Sequence, residues 1–380
     1  MSSATLEIVE PGLLTTVQDA GRYGYQRFGV PVSGAIDVFA LKAANILAGN
    51  AQDAAGLEMT VVGPRVRFLA DTWIALTGAD LGPLLDDRPI PMWESVAVPA
   101  GAILSFDGAR DGVFGYLAVT GGIDVPVVMG SRSTYVKGVI GGHLGRALMA
   151  SDSLPTMERD GHPDPTNNRL PDHLGAPRYG NTHEIRVVLG PQDAAFTAEA
   201  VQTLLGSEYS VSIQSDRMGY RLEGPVIQHR SGPDLISDGT PLGAVQVPGD
   251  GQPIILLSDR GTTGGYAKIA TVISSDIGTL GQAMPVDTIR FATVSVEEAH
   301  AILREREQVL RDIEKAVRGA AAEAVSIRID GDAFEAVDDS GRLVSVPAVE
   351  GTAESRATRH ARVTVDGHTF EFDVEVQRAD

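Results

Sequence analysis

Short runs in which apolar and polar residues alternate dominate the chain, and long 3.6-residue periodicities are few. "LEIVEPGLLTTV" reads as two strands broken at Pro11-Gly12. Between residues 56 and 154, "LEMTVVG", "VRFLAD", "WIALTGA", "ILSFDGA" and "FGYLAVTGG" repeat the same texture, each punctuated by Gly, Pro or Asp-Gly. Evenly spaced short strands of this kind predict a closed or nearly closed barrel. "EIRVVLGPQ", "YSVSIQ", "MGYRLEGP", "AVQVP" and "QPIILLSD" predict a second one further along. Helical spacing appears in a helix over 37–47 that stops at Gly49, in "AAFTAEAVQTLLGS", and in an amphipathic helix over 294–318. That last helix carries Ala299, Leu303, Val309 or Leu310, and Ile313 on one stripe and is expected to pack on the second barrel. The plan is therefore a first barrel at 1–157, a linker at 158–183, a second barrel at 184–293, a helix at 294–320 and a small β extension at 321–380. The fold class is mainly β with some helix.

Composition supports that plan and narrows the function. Aromatic residues make up 5% of the 380 residues and glycine is abundant at 43, as suits tight turns between strands. The formal charge of −19 repels phosphate backbones, so nucleic acid is not an expected partner. With no cysteine there is neither a disulfide framework nor a thiolate nucleophile. No apolar run approaches the ~20 residues a membrane helix needs, and the N-terminus lacks a basic, then apolar leader. A cytoplasmic protein is expected.

Three glycine-rich stretches concentrate the candidate chemistry. In "GVPVSGAIDVFALKAANILAGN", Ser33 and Gly34 let backbone approach a ligand, and Asp37 is either a helix cap or an acid facing a substrate. "VTGGIDVPVVMGSRSTYVKG" offers Gly121, Gly122, Ser131, Arg132, Ser133, Thr134 and Lys137, a set suited to a carboxylate or phosphate. "LLSDRGTTGGYAKIA" adds Thr262, Thr263, Gly264, Gly265, Tyr266 and Lys268, with Asp259 and Arg260 as a possible internal pair. "QSDRMGYRLEGP" supplies Asp216, Arg217 and Tyr220. Asp37, Arg132, Lys137, Tyr266 and Lys268 are the catalytic candidates and the others ligand contacts. Walker, dinucleotide, "GxSxG" and "HExxH" spacings are all missing, and five of eight histidines (His143, His162, His173, His183, His229) are read as loop residues, so no metal site is expected.

Taken together and in this order, these segments resemble the carboxyltransferase-type family that includes the C subunit of bacterial 5-oxoprolinase. That family has also been called allophanate hydrolase subunit 2 and the antagonist of a sporulation-kinase inhibitor, and it is similar to the carboxyltransferase portion of urea amidolyase. The resemblance implies two tandem cyclophilin-like β-barrels with a cleft between them. It also implies an obligate B subunit and a lactam-utilisation A subunit, an assembly that opens 5-oxoproline to L-glutamate using ATP with Mg. On that reading Arg132 suits the substrate carboxylate and the Thr262–Gly265 loop suits phosphate. The alternatives are a regulatory protein that sequesters a kinase-inhibitor partner and a urea-type carboxyltransferase component. This sequence departs from the family's "TTGGYP" by carrying Ala267 after Tyr266, and where Gly261 stands the family often has Gln or Pro. Its tail vaguely resembles the start of a biotinyl carrier domain without the "MKM"-like lysine, so no biotin is expected on this chain.

Overall fold

A computed structural model describes residues 4–157, 164–323 and four strands beyond, at Phe334–Val337, Leu343–Val346, Ala357–Val365 and His368–Val376. The two strands predicted from the N-terminal pattern are present, as Ala4–Glu10 and Leu14–Gln18. The first half builds two sheets on one core. One has six strands, in the order Ser153–Pro155, Ala4–Glu10, Arg65–Phe68, Ile103–Phe106, Pro83–Leu85 and Arg88–Pro89. The other has five: Leu14–Gln18, Gly56–Thr60, Asp111–Val119, Thr72–Asp80 and Ser95–Val98. Leu6, Ile8, Val66, Phe68 and Leu104 of one sheet meet Val17, Leu57, Ile74, Leu76 and Leu117 of the other, all buried. This half is two facing sheets and not one continuous closed ladder, which the prediction of a closed or nearly closed barrel allows. Both outermost strands of the six-stranded sheet contain proline, which has no N–H to extend the ladder.

The second half does close. Seven strands form a barrel in the order Thr182–Leu189, Lys268–Val272, Ala244–Gln246, Ile254–Leu256, Gly219–Glu223, Glu208–Val211 and Thr288–Thr293. The first and last of these pair in parallel from Thr182↔Thr288 to Val187↔Thr293, which leaves the barrel without an edge. His183, read from sequence as a loop residue, sits in that opening strand with its ring 3.2 Å from Asp287. Asp234–Gly239 and Thr263–Tyr266, separated in sequence by two barrel strands, pair as a separate antiparallel two-stranded sheet, a hairpin in space though not in sequence.

Four α-helices complete this unit. α1 (Val38–Leu47) has Asp37 as its N-cap, with Asp37 Oδ1 accepting from the Ala40 amide at 3.1 Å. Ala40, Leu41, Ala44 and Leu47 are buried in the same core cluster as Ile185, Ile255 and Phe291 of the second barrel, so α1 joins the two halves. α2 (Ala198–Gly206) is capped by Thr197. α3 (Ile277–Gly281) is a short helix beside α1, and α4 (Val296–Glu323) is the long amphipathic one. Leu310 and Ile313 of α4 enter the shared core as the stripe predicts. The helix is not confined to the second barrel, however. Arg306 lies 4.3 Å over the Phe39 ring, and Gln52 donates to Glu314 at 3.2 Å. Residues 164–181 are also more than a connection: Asn168 is buried and donates to the Leu47 carbonyl.

Beyond α4, Phe334–Val337 pairs with Leu343–Val346, and Ala357–Val365 with His368–Val376. These two antiparallel hairpins belong to a separate compact unit and match the alternating pattern of the tail. Residues 324–333, in the early part of the expected extension, lie outside the described residues, as does His162.

Candidate functional site

The seam between the halves is held by buried charge. Arg217, from the second barrel, is joined to Glu58 of the first, to Asp259 at 2.9 Å, and to the Gly34 carbonyl at 2.7 Å. Glu58 Oε2 accepts from the Ile36 amide at 2.9 Å and from the Tyr116 hydroxyl at 2.9 Å, while that hydroxyl accepts from the Asp37 amide at 2.7 Å. Burial raises the Glu58 carboxyl above its ordinary range, and the Arg217 charge pulls partly against this. For Arg217, burial alone would lower its affinity for the proton, but Glu58 and Asp259 outweigh it and the guanidinium stays charged. Tyr116 is pushed up first by burial and then by the Glu58 charge, so it remains a neutral hydroxyl able to donate.

This network presents Asp37 at the wall of a cavity of about 300 Å³ between α1, α3 and α4. Asp37 is 1% exposed. Besides capping α1 it accepts from Gln282 Nε2 at 3.2 Å and from the Tyr179 hydroxyl at 3.4 Å, and Arg306 lies 4.0 Å away. Such close approach depends on glycine in α3: a Cβ on Gly278 would lie 2.5 Å from Asp37 Oδ1, and one on Gly281 would lie 2.1 Å from Ile36 Cγ2. Ser33 shares this cavity wall.

A second locus lies at the base of the hairpin. Lys268 is 1% exposed, and its ammonium meets one carboxylate, that of Asp238, at 3.8 Å. Its backbone is fixed in the barrel by pairing with Gln246 and by hydrogen bonds to Gln192. Thr263, Gly264 and Tyr266 are hairpin strand residues facing Gly239, Asp238 and Asp234. Thr262 accepts from the Thr240 amide, and Gly265 lies between the paired positions. The ammonium is thus buried beside a carboxylate that is itself 65% exposed, and a charge held this way is a candidate for function.

Other residues singled out from sequence lie elsewhere. Ser131 and Ser133 donate to Asp19, the Arg132 amide also reaches Asp19, and Thr134 donates to the Val17 carbonyl at 2.9 Å. The Arg132 guanidinium is bound to the Val125 carbonyl and to Asp124, away from the cavity. Gly121 and Gly122 form a turn, with the Gly121 amide on Asn50. Lys137 is exposed and pairs with Asp216 at 3.3 Å, and Tyr220 donates to the Gly281 carbonyl at 2.7 Å. The two Asp-Arg dipeptides do not pair internally. Asp259 is paired with Arg217, whereas Arg260 donates to the Thr240 and Leu257 carbonyls. Both dipeptides lie at turns, and the two members of each find different partners.

Sequence reasoning missed Glu58, Tyr116, Asp238, Gln282, Ser275 and Arg306. Glu58 carried a readable signal: an acid inside the otherwise apolar run "GLEMTVV" requires a buried partner. The hairpin does not fit the phosphate role expected of it. Its backbone is engaged in strand pairing, and Asp234 and Asp238 stand opposite, so no nucleotide cradle forms there. Among the described residues no group of three or more metal-ligating side chains occurs, and no helix is long and apolar enough to cross a membrane.

Residues 28–293, which include Asp37, Asp238 and Lys268, match the family model described as "Carboxyltransferase domain, subdomain A and B". The chain belongs to this carboxyltransferase family. It is 40% identical over 296 residues to the 5-oxoprolinase C subunit of Escherichia coli, covering 77% of this chain and 93% of that one. Against the 5-oxoprolinase C subunit of Haemophilus influenzae it is 36% identical over 312 residues, covering 82% and 98%. Among solved structures, the Kluyveromyces lactis urea carboxylase aligns with a TM-score of 0.78 at 28% identity, covering 96% of this chain and 33% of that one. The carboxyltransferase family relation thus places the chain among enzyme components.

Proposed function

We propose that this chain is the C subunit of an ATP-dependent 5-oxoprolinase, working in the cytoplasm with a B subunit and a lactam-utilisation A subunit to open 5-oxoproline to L-glutamate. The observation that carries this reading is the match over nearly the whole length of two 5-oxoprolinase C subunits. In the net reaction, water adds to the lactam carbonyl carbon and the ring C–N bond breaks. The nitrogen leaves as an ammonium group and the carbon as a carboxylate. Coupled conversion of ATP to ADP and phosphate would make this ring opening favourable. Since the hairpin forms no nucleotide cradle, we assign ATP and its Mg to another member of the assembly. This chain's own contribution is Lys268, whose ammonium stabilises negative charge growing on the amide oxygen, with Asp238 holding that ammonium in place. The chain works without attached biotin, which a band on a streptavidin blot would contradict.

The test is reconstitution of the three purified subunits. Glutamate release should require ATP and this chain, and should vanish with Lys268→Met. Equal release when the chain is omitted refutes the assignment. The urea carboxylase alignment favours a second reading, carboxyl transfer to a urea-type amide. Carboxybiotin-dependent turnover of urea, with no release of glutamate from 5-oxoproline, would select it.

A further inference from the structure

We infer that the cavity between α1, α3 and α4 is a binding site for a small carboxylate, separate from the locus of Lys268 and Asp238. None of the residues lining it comes from Asp234–Gly239 or Thr263–Tyr266. Two buried hydroxyls on its wall, Ser33 Oγ at 4% residue exposure and Ser275 Oγ at 5%, lack any hydrogen-bond partner. Buried hydroxyls are almost always satisfied, so two on one cavity wall call for an acceptor within it. Cationic groups face the same space. Arg260, buried and lining the cavity, uses Nε and Nη1 on backbone carbonyls, and among the described residues no carboxylate pairs with it. Lys42 also lines it with no carboxylate partner among the described residues. Val38 and Phe39 line it too, and their amides, the first two of α1, donate to no described acceptor.

Asp37, Glu307 and Arg306 complete the charged lining. Asp37 opposes an anion least of all, because the α1 cap, Gln282, Tyr179 and Arg306 already surround its charge. Lys42, Arg260 and Arg306 then outnumber Asp37 and Glu307, in a chain whose formal charge is −19. Size limits the guest. A cavity of about 300 Å³ lies at the small end of the range of ligand pockets and suits a small acid. Arg260 Nε holds the Thr240 carbonyl, next to the hairpin strand that ends at Gly239, so occupancy would brace the strand that bears Asp238.

Titration calorimetry of the intact chain with 5-oxoproline, L-glutamate, acetate and inorganic phosphate tests this. Saturable binding of at least one carboxylate is expected, weakened about tenfold by Ser33→Ala and by Ser275→Ala, with melting temperatures unchanged. Lys268→Met should keep that affinity, which separates this site from turnover in the reconstituted assembly. The inference is overturned if no carboxylate saturates the chain, if phosphate alone binds, if both serine variants bind like wild type, or if Lys268→Met abolishes binding.

Discussion

Two stretches of similar sequence character, the 130–134 loop of the first half and the 263–268 segment of the second, reach opposite ends. Both are rich in glycine and hydroxyl residues and both carry a cation. In the first, Asp19 gathers the Ser131 and Ser133 hydroxyls and the Gly21 and Arg132 amides, and every donor finds its partner within the fold. In the second, a fully buried ammonium meets one carboxylate at 3.8 Å on a hairpin rim. Polar density alone therefore does not mark a site. What separates the two is whether the fold itself closes the set of partners.

The contrast breaks most sharply on turnover. Lys268→Met keeps the stem length and removes the charge. In the reconstituted assembly it should lower kcat on the order of 10³-fold, about 4 kcal/mol in the barrier, with the melting temperature held or raised. Arg132→Ala should leave kcat within about twofold, because its guanidinium is tied to the Val125 carbonyl and Asp124. If Arg132→Ala proves the more damaging of the two, the assignment of the loop as structural fails.

Both stretches depend on the seam that joins the halves. Arg217→Met leaves Glu58 and Asp259 buried without their cation, and denaturant unfolding should show a loss of about 3 kcal/mol. Adding Glu58→Gln should recover part of that loss, since an unpaired buried charge is then removed. A single variant as stable as wild type would mean that the seam does not hold the barrels together.

How much of this was legible in the sequence follows from the range of the interactions concerned. The N-terminal strands, the α1 cap at Asp37, the α4 stripe and the terminal hairpins are local, and local periodicity and capping report them. Arg217 with Glu58 spans 159 positions and Gln282 with Asp37 spans 245, and no local pattern encodes such pairings. The 130–134 loop misled because Asp19, more than a hundred residues earlier, supplies the acceptor. The strand order of the first half was equally hidden, since it rests on pairings between distant segments.

Removing that acceptor sharpens the comparison further. Asp19→Ala strands the Ser131 and Ser133 hydroxyls and two backbone amides in a buried place, at a cost of about 2 kcal/mol. Turnover per folded molecule should be unchanged, measured at a temperature well below the variant's melting point. A fall in kcat with stability intact would put the loop back into the chemistry.

The smallest effect also belongs to the first half and is read from pH. Asp152 accepts both Arg146 Nη1 at 2.7 Å and Nη2 at 2.8 Å, and the Met149 amide as well. The Arg146 hydrogen bonds lower its carboxyl from 3.8 to about 2. A carboxylate whose affinity for the proton falls on folding stabilises the folded state above its unfolded pKa. That contribution is complete above about pH 4 and disappears as pH drops from there toward about 2. Allowing for solvent screening of the pair, it should amount to about 1 kcal/mol. Asp152→Asn should therefore lose that much stability at pH 6 and match wild type near pH 2. An equal gap at both pH values would show that the side chain acts through hydrogen bonding alone, with no contribution from its charge.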